Sequence, residues 1–369
     1  MVKIVAGNDV KSFIQMAFCS YRPHCRERFG TERVVPGPTA SRRRPAFPSH
    51  VIYDSWLFVG RPEDLAAARS RRKSLAAITL KKIIVRNYSG GRSNIPMTLP
   101  LDSAKPGTPI ILGVPVDANS SWLRGAAGAP PIIRVALNSD SSNSWTETGV
   151  DLSAPGTYWD AGDLKFAPDE PFAAIESRVG ELLDRGLRPV CLGGDHSISL
   201  PIIRAFGRRS PGLTILHFDA HPDLYDEFEG NRLSHACPFA RIMEEGAAKR
   251  LIQIGIRTMT GHQREQAKKF AVEVIEMRQL PALDRMKFDG PIYISFDMDV
   301  LDPAFAPGIS HREPGGMSVR EAIAHLHAIT GKIVGADIVE YNPAQDNTQI
   351  AATVAAKLLK EILGKMILN

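Results

Sequence analysis

From residue 109 onward, short apolar runs alternate with stretches of helical period. "PIILGVPVD" (109–117), "RPVCLGGD" (188–195), "LTILHFDAH" (213–221), "RLIQIGI" (250–256), "VEVIEM" (272–277), "PIYISFDMD" (291–299) and "KIVGADIVE" (332–340) are rich in Val, Ile and Leu. Their length and composition predict strands. Between them, "PFAAIESRVGELLDRG" (171–186) carries apolar residues at helical spacing and closes on Gly186. Helices also fit 200–208, 238–246, 262–270, 319–329 and 348–366. Strand runs alternating with helices predict an α/β fold, with a mainly parallel sheet and helices on both faces.

The front of the chain has no such period. "YRPHCRERFGTERVVPGPTASRRRPAFPSH" (21–50) is rich in Pro and Arg, 61–82 has the composition of a short basic helix, and 87–109 has that of a linker. Residues 1–95 hold 18 Lys/Arg against 6 Asp/Glu, whereas the other 274 residues hold 27 against 34. The net charge of +5 is therefore a property of the front alone, and the acidic body argues against a nucleic-acid partner. We expect residues 1–104 to be a disordered or spuriously translated extension, with a start at Met97 as one option, and residues 105–369 to be the catalytic domain. An organelle transit peptide and a basic binding arm are the competing readings. No run approaches 18 consecutive apolar residues, and the four cysteines form no CxxC pair. A cytoplasmic protein with no membrane contact is the expectation.

The chemistry begins at "DAHPD", where Asp219, His221 and Asp223 occupy every second position at the end of a strand run. In extended backbone such residues share one face. "FDMD" repeats the spacing with Asp297 and Asp299, and the two glycines of "LGGDHS" permit a sharp turn that exposes Asp195 and His196. Taken singly, each Asp is ordinary helix-cap or turn chemistry. Together, four carboxylates and two histidines at three strand ends repel one another unless cations join them. Their number suits two divalent ions bridged by Asp219 and Asp297, which activate a water near neutral pH. Manganese matches such oxygen-rich ligation, and Ni²⁺, Co²⁺, Fe²⁺ and Zn²⁺ remain open.

With "GGDHSIS" (193–199), "DAHPD" (219–223), "SHACPFARIMEEG" (234–246), "SFDMDVLDPAFAPG" (295–308) and "VGADIVEYNP" (334–343) in this order, the sequence resembles the ureohydrolases, the arginases and agmatinases. In the detail of "NSSWLRGAAGAPPIIR" and "APGISHREPGG" it is most similar to the plant type. The resemblance implies a three-layer α/β/α sandwich and two Mn²⁺ per subunit. His196, Asp219, Asp223 and Asp297 would hold one ion, and Asp219, His221, Asp297 and Asp299 the other. A metal-bridging hydroxide would attack the guanidino carbon and release urea and an amine. Asp223 would orient the hydroxide, His235 would shuttle protons and Glu340 would pair with the guanidinium. It also implies a homo-oligomer, a trimer or hexamer.

The substrate end departs from many relatives. A Thr-Gly-Thr-Pro stretch is replaced by Ile309, Ser310, His311 and Arg312, which puts His311 near the guanidinium. Tyr225, Asp226, Asn231, Arg232, Asn119 and Ser120 are expected at the mouth. Arginine or agmatine is the favoured substrate, with guanidino acids and guanidine as alternatives. A pseudoenzyme that binds a guanidino metabolite is the non-catalytic alternative. A single-zinc deacetylase is disfavoured by the four carboxylates.

Overall fold

A computed structural model describes residues 103–167, 170–280 and 288–369. The expected disordered or spurious extension lies almost entirely outside these residues. All described residues fall within one of the two units into which the chain divides, Ser70–Asn369.

Eight parallel strands form one sheet: β1 (Pro109–Gly113), β2 (Trp159–Asp163), β3 (Arg188–Leu192), β4 (Thr214–Phe218), β5 (Arg250–Ile256), β6 (Glu273–Glu276), β7 (Ile292–Asp297) and β8 (Ile333–Val339). Their order is β2-β1-β3-β8-β7-β4-β5-β6. β1, β4 and β7 are buried along their whole length, because helices cover both faces. The helices are α1 (Ala129–Leu137), α2 (Pro171–Asp184), α3 (Ser199–Gly207), α4 (Pro238–Glu244), α5 (Gly261–Lys269), α6 (Val319–Ala328) and α7 (Ile350–Leu368). One buried layer packs α1, α6 and α7 against Leu216, Phe218, Ile294 and Phe296. The other packs α2, α3 and α4 against Ile110, Ile215 and Tyr293. The expected three-layer architecture is thus present.

Two elements were not expected. β2, "WDAGD", is a half-buried edge strand without an apolar run. α1 opens on Pro130 and Pro131, where missing N–H groups are harmless in the first turn. The strands also stop earlier than their apolar runs suggested. β4 ends at Phe218, so Asp219, His221 and Asp223 lie in the following loop, not on one strand face. α5 and α6 start from capping boxes, Thr260 with Gln263 and Ser318 with Glu321.

Candidate metal centre

Because the sheet is parallel, the C-terminal ends of β3, β4, β7 and β8 share one edge. Loops leaving that edge meet where such sheets form their sites. The turn after β3 depends on Gly194 at φ 31; a Cβ there would collide with the Val116 carbonyl oxygen and sit 2.9 Å from that of Val114. The turn does not expose Asp195, as expected. Asp195 is fully buried and binds loop 117–121 instead, accepting from Asn119 N (2.9 Å) and Ser120 Oγ (3.3 Å), while Ser197 N in its own turn donates to it at 3.1 Å. Burial, reinforced by Glu340, raises its pKa to about 6.

His196 points into the centre. Its Nδ1 lies 3.1 Å from Asp219 Oδ2, 3.2 Å from Asp223 Oδ2 and 3.0 Å from Asp297 Oδ2. A second group forms alongside: His221 Nδ1 lies 2.9 Å from Asp299 Oδ2 and 3.5 Å from Asp219 Oδ1. Asp219 therefore divides its two oxygens between the two groups. Backbone amides hold two further carboxylate oxygens: Asp297 Oδ1 accepts from Asp299 N (2.7 Å), and Asp299 Oδ1 from Ala220 N (3.1 Å). All six expected ligand residues come together, although a left-handed turn at Asp223 (φ 48) does the work assigned to strand alternation. Such a backbone costs about 1–3 kcal/mol and persists where the surroundings impose it.

The donor set fits a metal. His196 Nε2 contacts Ser295 Oγ at 3.0 Å, while its buried Nδ1 has no hydrogen bond of good geometry despite three carboxylates around it. Burial opposes charge on His196 and His221, yet the surrounding aspartates lift both well above the ordinary imidazole range. Burial and the neighbouring carboxylates likewise raise Asp297 and Asp299. A field that retains protons so firmly equally attracts cations. His217 also touches Asp219, Nε2 to Oδ2 at 2.7 Å. Gln253 Nε2 bonds to the Pro222 carbonyl (2.5 Å) and to His217 Nδ1 (3.1 Å), so the proton of His217 sits on Nε2 and donates to Asp219. His217 orients that carboxylate and is not available as a ligand.

Beside the cluster is a cavity of about 170 Å³. His235, Glu340, His311 and Tyr225 line it, together with His221, Asp223, Asp297 and Asp299. Asp226 and Asn231 are not among the lining residues. Asp226 is held by Arg232 (2.9 Å) and Arg241 (2.7 Å), and Asn231 by Asn119 (3.2 Å) and Leu233 N (2.8 Å). Sequence reasoning missed Ser121, Phe228, Thr258, Thr260 and Gln263 in the lining. Ser121 approaches His235 from 114 positions away, with N and Oγ 3.2 and 2.8 Å from Nε2. Its adjacency to Asn119 and Ser120, already expected near the mouth, was the available signal.

Burial opposes charge on His235, but Glu340, Asp223 and Asp195 raise its pKa to about 9. The Ser121 N–H directed at Nε2 works the other way and favours the neutral ring. His311 stands 5.2 Å from His235 and 5.9 Å from His221, ring to ring; burial and the nearby His235 lower its pKa. Glu340 adopts φ 62, the second left-handed residue at the site.

The family model described as the arginase family matches residues 108–364. The mitochondrial arginase of Medicago truncatula is 47% identical over 277 residues, 70% of this chain and 82% of that protein. Arginase 1, mitochondrial, of Arabidopsis thaliana is 46% identical over 284 residues, 72% of this chain and 83% of that protein. A solved arginase from M. truncatula superposes with a TM-score of 0.68 at 42% identity, covering 83% of this chain and 99% of the other. These organellar relatives overturn the expectation of a cytoplasmic protein, which rested only on an absence of membrane spans and cysteine pairs. With its motifs in family order and the match extending through all eight strands, the chain belongs to the arginase family, hydrolases that act on the C–N bonds of guanidino compounds.

Proposed function

We propose that this chain hydrolyses arginine to urea and ornithine at a centre of two Mn²⁺ ions. The observation that carries the reading is the division of Asp219 between two ligand groups, next to a carboxylate in a cavity. His196, Asp219, Asp223 and Asp297 would hold one ion, and Asp219, His221, Asp297 and Asp299 the other. When bound, such a pair supplies a water that is nucleophilic near neutral pH. Glu340 Oε1 accepts from His196 N and His235 Nδ1, and no hydrogen bond within the described residues occupies Oε2. That oxygen would receive the guanidinium fork, whose planar donors match a carboxylate. Asp223 lies between the ligand cluster and the cavity, where it takes the proton of the attacking water. His235 lies in the same wall, and its ring, charged below the raised pKa of about 9, delivers a proton to the departing amine.

The outer wall distinguishes substrates. Tyr225, Phe228, Thr258, Thr260 and Gln263 bring hydroxyls, an amide and rings, but no carboxylate. Hydroxyl and amide groups both donate and accept, so they suit the amine and carboxylate of an amino acid. Among the described residues of that wall there is no carboxylate for the lone ammonium of agmatine. Urea release by the Mn²⁺-loaded protein, screened over arginine, agmatine, guanidinobutyrate and guanidine, tests this. Arginine is expected to lead; a preference for agmatine would reject the substrate assignment, and no urea from any of them would reject the activity.

The names of the relatives support a mitochondrial or plastid location, with the Arg-rich front as the targeting segment. Fusion of residues 1–102 to a fluorescent protein checks this, and diffuse cytosolic signal would reject it. Assembly into a trimer or hexamer rests on the family resemblance, and sedimentation of the full chain as a monomer would reject it.

A further inference from the structure

Asp337 lies on β8 in the middle of the sheet, with no exposed surface. Its register partners are Cys191 on β3 and Ser295 on β7. Three hydroxyls donate to it: Ser295 to Oδ1 at 2.7 Å, and Tyr293 and Ser199 to Oδ2 at 2.8 Å each. The face is otherwise apolar, with the Phe206 ring edge-on to Tyr293. A carboxylate in such an interior is unfavourable unless its oxygens are satisfied, and an apolar residue would spare the need. Its presence calls for a role.

The role follows from counting protons. Ser295 has one hydroxyl proton, and Asp337 accepts it. Ser295 Oγ is then an acceptor toward His196 Nε2, 3.0 Å away, so Nε2 must donate. A neutral His196 with its proton on Nε2 has a bare lone pair on Nδ1, the atom that faces Asp219, Asp223 and Asp297. In the other tautomer, Nδ1 would give its proton to one of these carboxylates and could not bind a metal.

We infer that Asp337 is a positioning residue for the metal centre: acting through Ser295, it keeps the His196 proton on Nε2 and leaves Nδ1 free to ligate. The inference rests on the two-metal reading above. Partners that fix a ligating histidine are worth ~10–100-fold in metal affinity.

The test is calorimetric titration of the metal-free full chain with Mn²⁺ alone, with retained ions counted after gel filtration. The parent takes up two ions. Ser295→Ala is expected to weaken one of them by ~10–100-fold and leave the other unchanged. Asp337→Asn is expected to do the same, because an amide N–H facing Ser295 turns the serine proton toward His196 and reverses the relay. Tyr293→Phe removes a hydroxyl from Asp337 but keeps the Ser295–His196 contact, so both affinities should stay at the parent level while the melting temperature falls. The inference is overturned if either Ser295→Ala or a folded Asp337→Asn binds both ions like the parent. It is also overturned if Tyr293→Phe weakens the same ion equally, since the effect would then be one of packing. Should Asp337→Asn not fold, Ser295→Ala decides alone. A parent that takes up fewer than two ions would instead reject the two-metal reading, and the inference with it.

Discussion

His235 and Glu340 share a proton between Nδ1 and Oε1 at 2.8 Å, and the same oxygen accepts the backbone N–H of His196 at 2.9 Å. One carboxylate thus links the proton-carrying histidine to the turn that bears a metal-facing one. Among the influences that raise the His235 pKa to about 9 against its burial, Glu340 is the largest. Glu340→Gln should bring it down toward the ordinary ~6.5. The sign is fixed: a raised folded-state value means stability that is complete below about pH 6.5 and lost as pH rises through about 9. Histidine ring NMR of the metal-free protein from pH 5 to 10 reads the shift, and an unmoved value would remove Glu340 as the cause.

His235→Asn should lower turnover by ~10²–10⁴-fold, the usual contribution of a positioned acid. The variant should still hold two Mn²⁺, because His235 contacts Ser121 and Glu340 and none of the six candidate ligands within hydrogen-bond distance. Excess Mn²⁺ should not restore activity. Metal analysis showing depletion, or full turnover, would end the proton-carrier assignment.

Gly194→Ala places a Cβ against two carbonyl oxygens at φ 31. We expect a loss of more than about 1 kcal/mol in stability. Mn²⁺ binding should also weaken, because His196 follows two residues later. Urea denaturation of the metal-free protein and Mn²⁺ titration measure the two effects; parent-like values in both would show that the turn tolerates a side chain.

Gln263→Glu keeps the capping box, since Gln263 Oε1 accepts from Thr260 N at 3.0 Å and a glutamate oxygen can do the same. It adds a negative charge to the outer wall. The ratio of kcat/KM for agmatine over that for arginine should rise, and the melting temperature should change little. An unaltered ratio would separate this wall from substrate recognition.

Much of this architecture is legible in the sequence because a buried parallel strand is an apolar run, as Thr214–Phe218 and Ile292–Asp297 show. The ligand residues were legible for a related reason: they follow directly on those runs. What alternation could not show is that β4 stops at Phe218 and that the backbone reverses at Asp223. The outer wall was less legible still. Thr258, Thr260 and Gln263 read as an ordinary helix start, and only the neighbouring β4 loop makes them a cavity lining. The Asp226 carboxylate meets Arg232 and Arg241, a pairing that no local pattern in the loop sequence announces. Asp337 was unremarked because its hydroxyl partners lie 42, 44 and 138 positions away.

The central place of β8 makes the centre a reporter of a joined sheet. His196 follows β3, which with β1 and β2 forms one flank, while Asp219, His221, Asp223, Asp297 and Asp299 follow β4 and β7 on the other. Only β8, which follows the other seven described strands in the chain, hydrogen-bonds to both flanks. Until Ile333–Val339 is in place, the nitrogen and the carboxylates it must meet belong to two separate ribbons. A chain lacking that strand would therefore carry every candidate ligand in its sequence with nothing to join the two ribbons that bear them.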